Sequence, residues 1–545
     1  MTMITGNDLV GKALASQGAD TIFFIMGGPM NDALNASAAA GLRLIDVRHE
    51  QAGAMMAHAF ARVRNRPGVC AGASGPGTIN LVTGLANALI DCAPVVALGG
   101  ATPIRQWGTG AFQEIDQLAI MRPVTKWAER VHDAARIPEL IDRAFHIATS
   151  GKPGPVYLDL PGDVLYSEIE AKTVRWPVAP DLRPRPRPKA APDEVEAIVD
   201  ALGKASRPIL LTGSGIIWSD AHAELQAFTE KAGIPFYTTP QGRGVIPEDH
   251  ALCYPLARST AFKETDLVLV VGTRLNYVFS HVRPPRFPAD APVIRVDIDP
   301  AEIAGSENVD IGVVGDAKAV LAQLTDAIPG VGYGAWRSRL AQRNAEKVEG
   351  HEAKLADPAM PIHPLRLCRE LRDVIGRDAI LCVDGQEILN YGRMSIPSYR
   401  PGHRLNSGPF GTMGVGLPFG VGAKAARPDA EVVVLHGDGS FGLNAMELDT
   451  AVRHKLPLLV VISLNGGWTA DPEKVKPGRD LGYTRFDKMA EALGCYSDYV
   501  DDPNEIRPAL ERALERVRAG QVAVVNVVTD WKARSVTTSF TAFST

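Results

Sequence analysis

Residues 431–468 read "EVVVLHGDGSFGLNAMELDTAVRHKLPLLVVISLNGGW". Two apolar runs, VVVL and LLVVISL, each stop at polar and glycine residues, with a helix-like stretch between them. Neither run alternates apolar with polar, as expected of strands covered on both faces. The stretch therefore predicts two parallel strands joined by a helical crossover, both ending at one sheet edge. Outward from there the pattern repeats: GVCAGAS, PVVALGG, PVYLDLP, RPILLTGSG, DLVLVVGTR, PVIRVDIDP, AILCVDG and QVAVVNVV are runs of the same kind, separated by helical stretches. The fold class expected is α/β, with three doubly wound parallel-sheet domains. Two breaks divide them. Residues 174–192 are proline-rich and read as a linker. Residues 330–362 end in EKVEGHEAKLADPAMPIH, polar and poorly strand-forming. The boundaries expected are about 1–170, 190–330 and 362–545.

A chain of 545 residues is too long for one core, which agrees with three domains. A formal net charge of −5 gives no electrostatic case for nucleic acid or an anionic membrane. The apolar runs are too short to span a bilayer. The first residues, MTMITGNDLVGKALASQGAD, lack the basic-then-apolar order of a secretion signal. The six cysteines (Cys70, Cys92, Cys253, Cys368, Cys382 and Cys495) are scattered without CxxC spacing and read as reduced thiols of a cytoplasmic enzyme.

The opening stretch suits a diphosphate. Gly437 and Gly439 let the backbone approach the anion, and N–H groups at the following helix start, Ser440 among them, point at it. Asp438 is an odd neighbour for a phosphate unless a divalent cation lies between them. Asn465 can add an amide oxygen and Gly467 a carbonyl, which together make the oxygen shell that Mg²⁺ prefers. Taken alone, Gly-Asp-Gly-Ser is an ordinary strand–helix turn.

Gly-Asp-Gly, twenty-five residues, then Asn at the end of an apolar strand resembles the signature of thiamine-diphosphate enzymes. RHEQAGAMMAHAFARV (48–63), ASGPGTINLVTGLANALIDCAPVVALGG (73–100), GAFQEIDQ (110–117) and GPFGTMGVGLPFGVGAK (408–424) extend the resemblance over almost the whole chain. It implies an N-terminal pyrimidine-binding domain, a central domain, and a C-terminal domain for diphosphate and magnesium. Glu50 would be the carboxylic acid sharing a proton with pyrimidine N1′, and Met413 the wedge that folds the cofactor. Pro29, Gly411, Gly385 and Gln386 would be further cofactor contacts, although Glu387 stands where relatives often carry His. Because the pyrimidine and diphosphate halves come from different subunits in that superfamily, a homodimer is the minimum expected, with a homotetramer common.

For the substrate, residues 235–287, with ARS and GTRLNYV, resemble the central domain of 2-hydroxyacyl-CoA lyases and oxalyl-CoA decarboxylases. The resemblance implies Arg258 on coenzyme A phosphates and Arg274 at an ADP-type site. Oxalyl-CoA decarboxylases carry Tyr-Glu where this chain has Phe112-Gln113, so Gln113 is read as orienting a substrate hydroxyl or carbonyl. Residues 465–494 also resemble bacterial 2-hydroxyacyl-CoA lyases, including those acting on 2-hydroxyisobutyryl-CoA. Trp468 would wall the pocket, with a core aromatic as the equal alternative. The tail WKARSVTTSFTAFST is expected to close over the coenzyme A arm, or to be a frayed terminus. The activity implied is cleavage of the C1–C2 bond of a 2-hydroxyacyl-CoA to formyl-CoA and an aldehyde or ketone. Oxalyl-CoA decarboxylation and an acetolactate-synthase-like carboligation of pyruvate are the alternatives.

Overall fold

The computed structural model describes residues 2–178, 186–305, 308–330, 332–468, 475 and 477–535. Each apolar run singled out above is a strand, and the crossover of the opening stretch is two short helices, Asp438–Asn444 and Glu447–Arg453. The first sheet contains Thr21–Phe24, Arg43–Asp46, Gly68–Gly72, Val95–Ala101, Trp127–Arg130 and Val156–Pro161. The last contains Ile380–Asp384, Arg404–Leu405, Val432–Gly437, Leu459–Leu464, Tyr496–Val500 and Ala523–Val528. Counting each sheet's strands from its own start, both run in the order 2-1-3-4-6-5, all parallel. The central sheet has five parallel strands in the order 2-1-3-4-5. In each, the order reverses between strands 1 and 3. Ligands of open α/β sheets bind at that point, outside the carboxyl ends of the strands.

Residues 334–355, part of the stretch read only as polar and poorly strand-forming, are one 22-residue helix, Gly334–Leu355. Its few buried contacts, Trp336, Leu340 and Leu355, explain why apolar spacing gave no signal. Part of the proline-rich linker, 179–185, lies outside the described residues.

The outer domains share one core. Helix Glu50–Arg64 is buried along nearly its whole length, and so is helix Gly416–Ala426; the two pack directly against each other. Small residues permit this: a Cβ added at Gly422 would land on the Met56 carbonyl. His58 meets Phe419 edge-on at 4.9 Å between ring centres. Beyond this seam a polar knot ties in the central domain. Asp91 takes bonds from Arg62 (3.0 Å) and the side-chain amide of Gln241, and His58 lies 3.2 Å away. Burial pushes the Asp91 carboxyl up, but His58, Arg62 and Gln241 outweigh it and hold it below its ordinary value.

Gly422→Ala should therefore lower stability by about 1–3 kcal/mol through overpacking against backbone. Equilibrium urea unfolding measures this, and a variant as stable as the parent would show that the two helices do not depend on the close approach.

Candidate functional site

The C-terminal set comes together at the sheet's reversal point. Strand Ile380–Asp384 delivers Gly385 and Gln386, and strand Val432–Gly437 delivers the turn into Asp438. With Met413, Ser440, Asn465, Gly467 and Trp468 they line one small pocket, joined by Pro364, Ser463, Asp530 and Ala533, which sequence reading did not single out. Gly385 adopts φ +117°, a conformation that favours glycine. At Gly439 a Cβ would stand 2.9 Å from the Trp468 ring, so any larger residue would disturb the pocket wall. Asp438 is buried; its two oxygens accept the N–H groups of Gly439 (2.9 Å) and Gly466 (2.8 Å). Burial raises its carboxyl to about 6 in spite of these bonds.

Among the described residues no cluster of three His, Cys, Asp or Glu side chains could hold a metal. One carboxylate with an amide oxygen beside it fits a cation completed by phosphate oxygens, not an all-protein metal cage.

Two buried groups fix the end of the loop that carries Met413. Asp384 accepts the N–H groups of Gly385 (2.7 Å) and Gly416 (2.9 Å). His436, wholly buried, accepts the N–H of Leu417 (2.8 Å) and lies 3.0 Å from the Ser440 hydroxyl. Together they pin the helix start that follows Met413. Gly411 and Met413 also line a second, larger cleft.

The N-terminal set gathers at its own sheet edge. Glu50 opens its helix, buried, with Asn80 donating to its Oε2 at 3.0 Å. Its other oxygen stands 3.1 Å from where a Cβ on Gly77 would be. Gln113 has φ +60°, and its carbonyl lies 2.6 Å from an ideal Cβ on Gly75. Pro29 packs against Gly100, where a Cβ would be 2.6 Å from the proline ring. Gln117 holds this edge: its oxygen accepts the N–H of Gly75 (2.9 Å), and its amide donates to Tyr157 and Asp159. That residue was within the quoted GAFQEIDQ but not singled out. Glu50, Gln113 and Pro29 line neither cavity that holds the C-terminal set. The two sets thus lie apart within one chain.

The larger cleft has a volume of about 1210 Å³ and runs between the domains. Arg258 lies in it, stacked 5.0 Å over Phe262. Arg286 and Arg393, both missed from sequence, line the same cleft. Burial, then Arg286 and Arg393, lowers the Arg258 guanidinium to about 9; burial, then Arg243, lowers Arg393 to about 10. Arg274 also lines the cleft, but its guanidinium donates to the Ile90 carbonyl. At the cleft's edge the Ser535 N–H donates to Glu387 (2.7 Å), and Asn390 donates to the Ser535 hydroxyl. The rest of the tail, from 536, lies outside the described residues.

Three family models match in order: the N-terminal TPP binding domain over residues 4–120, the thiamine pyrophosphate enzyme central domain over 195–324, and the C-terminal TPP binding domain over 389–527. The chain belongs to the thiamine pyrophosphate enzymes. Similar relatives include a probable acetolactate synthase of Mycobacterium bovis, 35% identical over 97% of this chain and 96% of the relative. A 2-hydroxyacyl-CoA lyase of Arabidopsis thaliana is 34% identical, and an oxalyl-CoA decarboxylase of Escherichia coli 32% identical, with the same shares covered. These relatives span three chemistries at nearly equal identity, so family membership brings thiamine diphosphate and leaves the substrate to the cleft. Among the described residues no helix is long and apolar enough to cross a membrane.

His436 predicts an acid limit for this enzyme's stability. Burial drives its ring to about 3 from an ordinary 6.5, so unfolding takes up a proton below pH 6.5. Its contribution is complete above that pH and falls by about 2 kcal/mol by pH 5. Thermal unfolding between pH 7 and 5 should show a shallower loss for His436→Gln than for the parent. Equal slopes would rule His436 out as a source.

Proposed function

We propose that this protein is a 2-hydroxyacyl-CoA lyase that cleaves the C1–C2 bond of its substrate to formyl-CoA and an aldehyde or ketone, reversibly. The observation that carries the reading is the arginine cluster. Arg258, Arg286 and Arg393 crowd one cleft, and none meets a carboxylate among the described residues. Buried like charges are costly unless an anion completes them. The cleft continues from them past Leu389 and Asn390 to Gln386, Gly411 and Met413, a path suited to a long substrate with phosphates at one end and its reacting carbon at the other. Small 2-oxo acids need no such cluster.

Bound thiamine diphosphate supplies a nucleophilic carbon and an electron sink. Glu50 would share a proton with its pyrimidine N1′, and Met413, beside Gly411, would wedge the ring. Gly385, Gln386, Gly437, Gly439 and Ser440 would hold the diphosphate, while Asp438, Asn465 and the Gly467 carbonyl would hold Mg²⁺. Trp468 walls the pocket. Gln113 orients the substrate's hydroxyl or carbonyl, and Phe112-Gln113 is the pair that favours the lyase over oxalyl-CoA decarboxylation. Arg274, committed to Ile90, adds no support for ADP in the central domain.

The two half-sites of one chain call for a second copy, so the active unit is at least a homodimer. Phe112 is 88% exposed beside Gln113, as an interface residue would be. The six cysteines are all free, which suits a reducing cytoplasm.

Glu50→Gln should lower kcat by about 10²–10⁴-fold while calorimetry still finds cofactor bound; Asp438→Ala should instead weaken Mg²⁺ and cofactor binding. Normal turnover in the first, or normal cofactor retention in the second, would contradict the site.

Arg258→Gln should raise KM for a 2-hydroxyacyl-CoA about 10–100-fold, the loss of one charge-assisted bond. Scoring formyl-CoA, CO₂ and acetolactate from a panel of 2-hydroxyacyl-CoA thioesters, oxalyl-CoA and pyruvate separates the chemistries. CoA-independent turnover of pyruvate would remove the lyase reading.

A further inference from the structure

The two short helices that follow the diphosphate loop touch three functional segments in turn. Asp438 opens the first. Near its end Asn444 donates to the Gly414 carbonyl at 2.8 Å, next to Met413. At the start of the second, Glu447 reaches across to the N-terminal domain. Its Oε1 accepts the backbone N–H groups of Arg48 (3.1 Å) and His49 (3.2 Å), and its Oε2 takes the Thr450 hydroxyl at 2.6 Å. Arg48 and His49 immediately precede Glu50.

The carboxylate is 1% exposed and has no cation within ion-pair distance among the described residues. All its bonds go to N–H and O–H groups, and its burial raises the carboxyl to about 7. A buried acid without a cation is costly to retain for stability alone. Residues ahead of a helix have no intrahelical acceptor for their N–H groups, so the loop entering helix Glu50–Arg64 depends on an outside partner.

We propose that Glu447 is a positioning residue for Glu50: a side chain of the C-terminal domain that clamps the two peptide groups leading into the catalytic glutamate. The inference rests on the role given to Glu50 above. The segment from Arg43 to His49 is otherwise tied to the C-terminal domain by exposed or half-buried groups: Arg43 on the His454 carbonyl, Arg453 and His454 on Asp46, and Arg48 on Asp449. Glu447 is the buried attachment nearest the reacting end. A displacement of about 1 Å there costs up to about 10²-fold in rate.

The test uses the full chain with thiamine diphosphate and Mg²⁺. Glu447→Ala should slow exchange of the bound cofactor's C2 hydrogen into D₂O, and kcat, by about 10–100-fold. KM and the calorimetric cofactor affinity should stay at the parent's values, since Glu447 touches neither cavity. Glu447→Gln keeps an acceptor oxygen for both N–H groups and should restore most of the rate. Thr450→Ala, which removes the hydroxyl that orients the Glu447 carboxylate and so loosens the clamp, covers the case in which Glu447→Ala fails to fold; it should slow exchange by a smaller factor. Parent-like exchange in Glu447→Ala, or in Thr450→Ala if only that variant folds, overturns the proposal, as does equal loss in Glu447→Ala and Glu447→Gln. Glu50→Gln is measured in parallel. If it alone is slow, the clamp fails and the Glu50 reading stands; if it exchanges at the parent's rate, that reading fails and the clamp with it.

Discussion

The architecture turns on the contact between helices Glu50–Arg64 and Gly416–Ala426. Each carries glycine and alanine where the other presses in, and the close approach at Gly422 leaves no room for a side chain. Packing at that density is intolerant of displacement. It fuses the outer domains into one core while the central domain keeps its own. Because the helix is committed along its length, its first residue, Glu50, is fixed at the N-terminal sheet's own edge and lines neither cavity of the C-terminal set. The seam that joins the outer domains therefore also keeps the N-terminal set apart from the C-terminal one.

The interior of each sheet was legible in the sequence and the margins were not. VVVL, LLVVISL and LVLVV announce themselves because both faces are covered, which demands unbroken apolar runs. Edge strands carry no such demand. Arg43–Asp46, Trp127–Arg130 and Tyr496–Val500 bury little of themselves, and Arg404–Leu405 has two residues. Thr21–Phe24 is an inner strand of only four residues, too short to stand out. The same logic governs the site. Glycine and acidic residues at strand ends could be read because their chemistry is local. Gln117 and Glu447 could not, since each acts on a backbone segment distant in sequence, and Arg286 and Arg393 are ordinary arginines until the fold sets them beside Arg258.

The buried charges fall into two kinds. Asp91, with Arg62, His58 and Gln241, is paired: each long side chain finds a partner, and Gln241 also donates to the Asn406 carbonyl, so the knot joins three domains. Arg243 with Glu248 is likewise closed. The Arg258 group is open among the described residues: three cations line one cleft, with aromatic rings beside Arg258 and Arg286. A fold able to neutralise Arg62 and Arg243 so thoroughly had the means to neutralise Arg258 too. Left without a carboxylate among the described residues, the group lowers stability, which is the cost that the proposed anion would offset.

The same distinction separates the buried carboxylates. Asp438 and Asp384 sit at the ends of adjacent strands, each taking two peptide N–H groups and each raised by burial to about 6. Their settings differ. Asp384 turns its oxygens to the N–H groups of Gly385, its neighbour in the chain, and of Gly416, at the helix that follows Met413, whereas Asp438 lines the small pocket beside Asn465. Peptide donors set the direction of a carboxylate but leave lone pairs unspent, since each oxygen can accept twice. Both side chains line cavities, Asp384 the larger cleft and Asp438 the small pocket that also holds Asn465. Position on the sheet edge, rather than residue type, decides which cavity each acid lines and which backbone it holds.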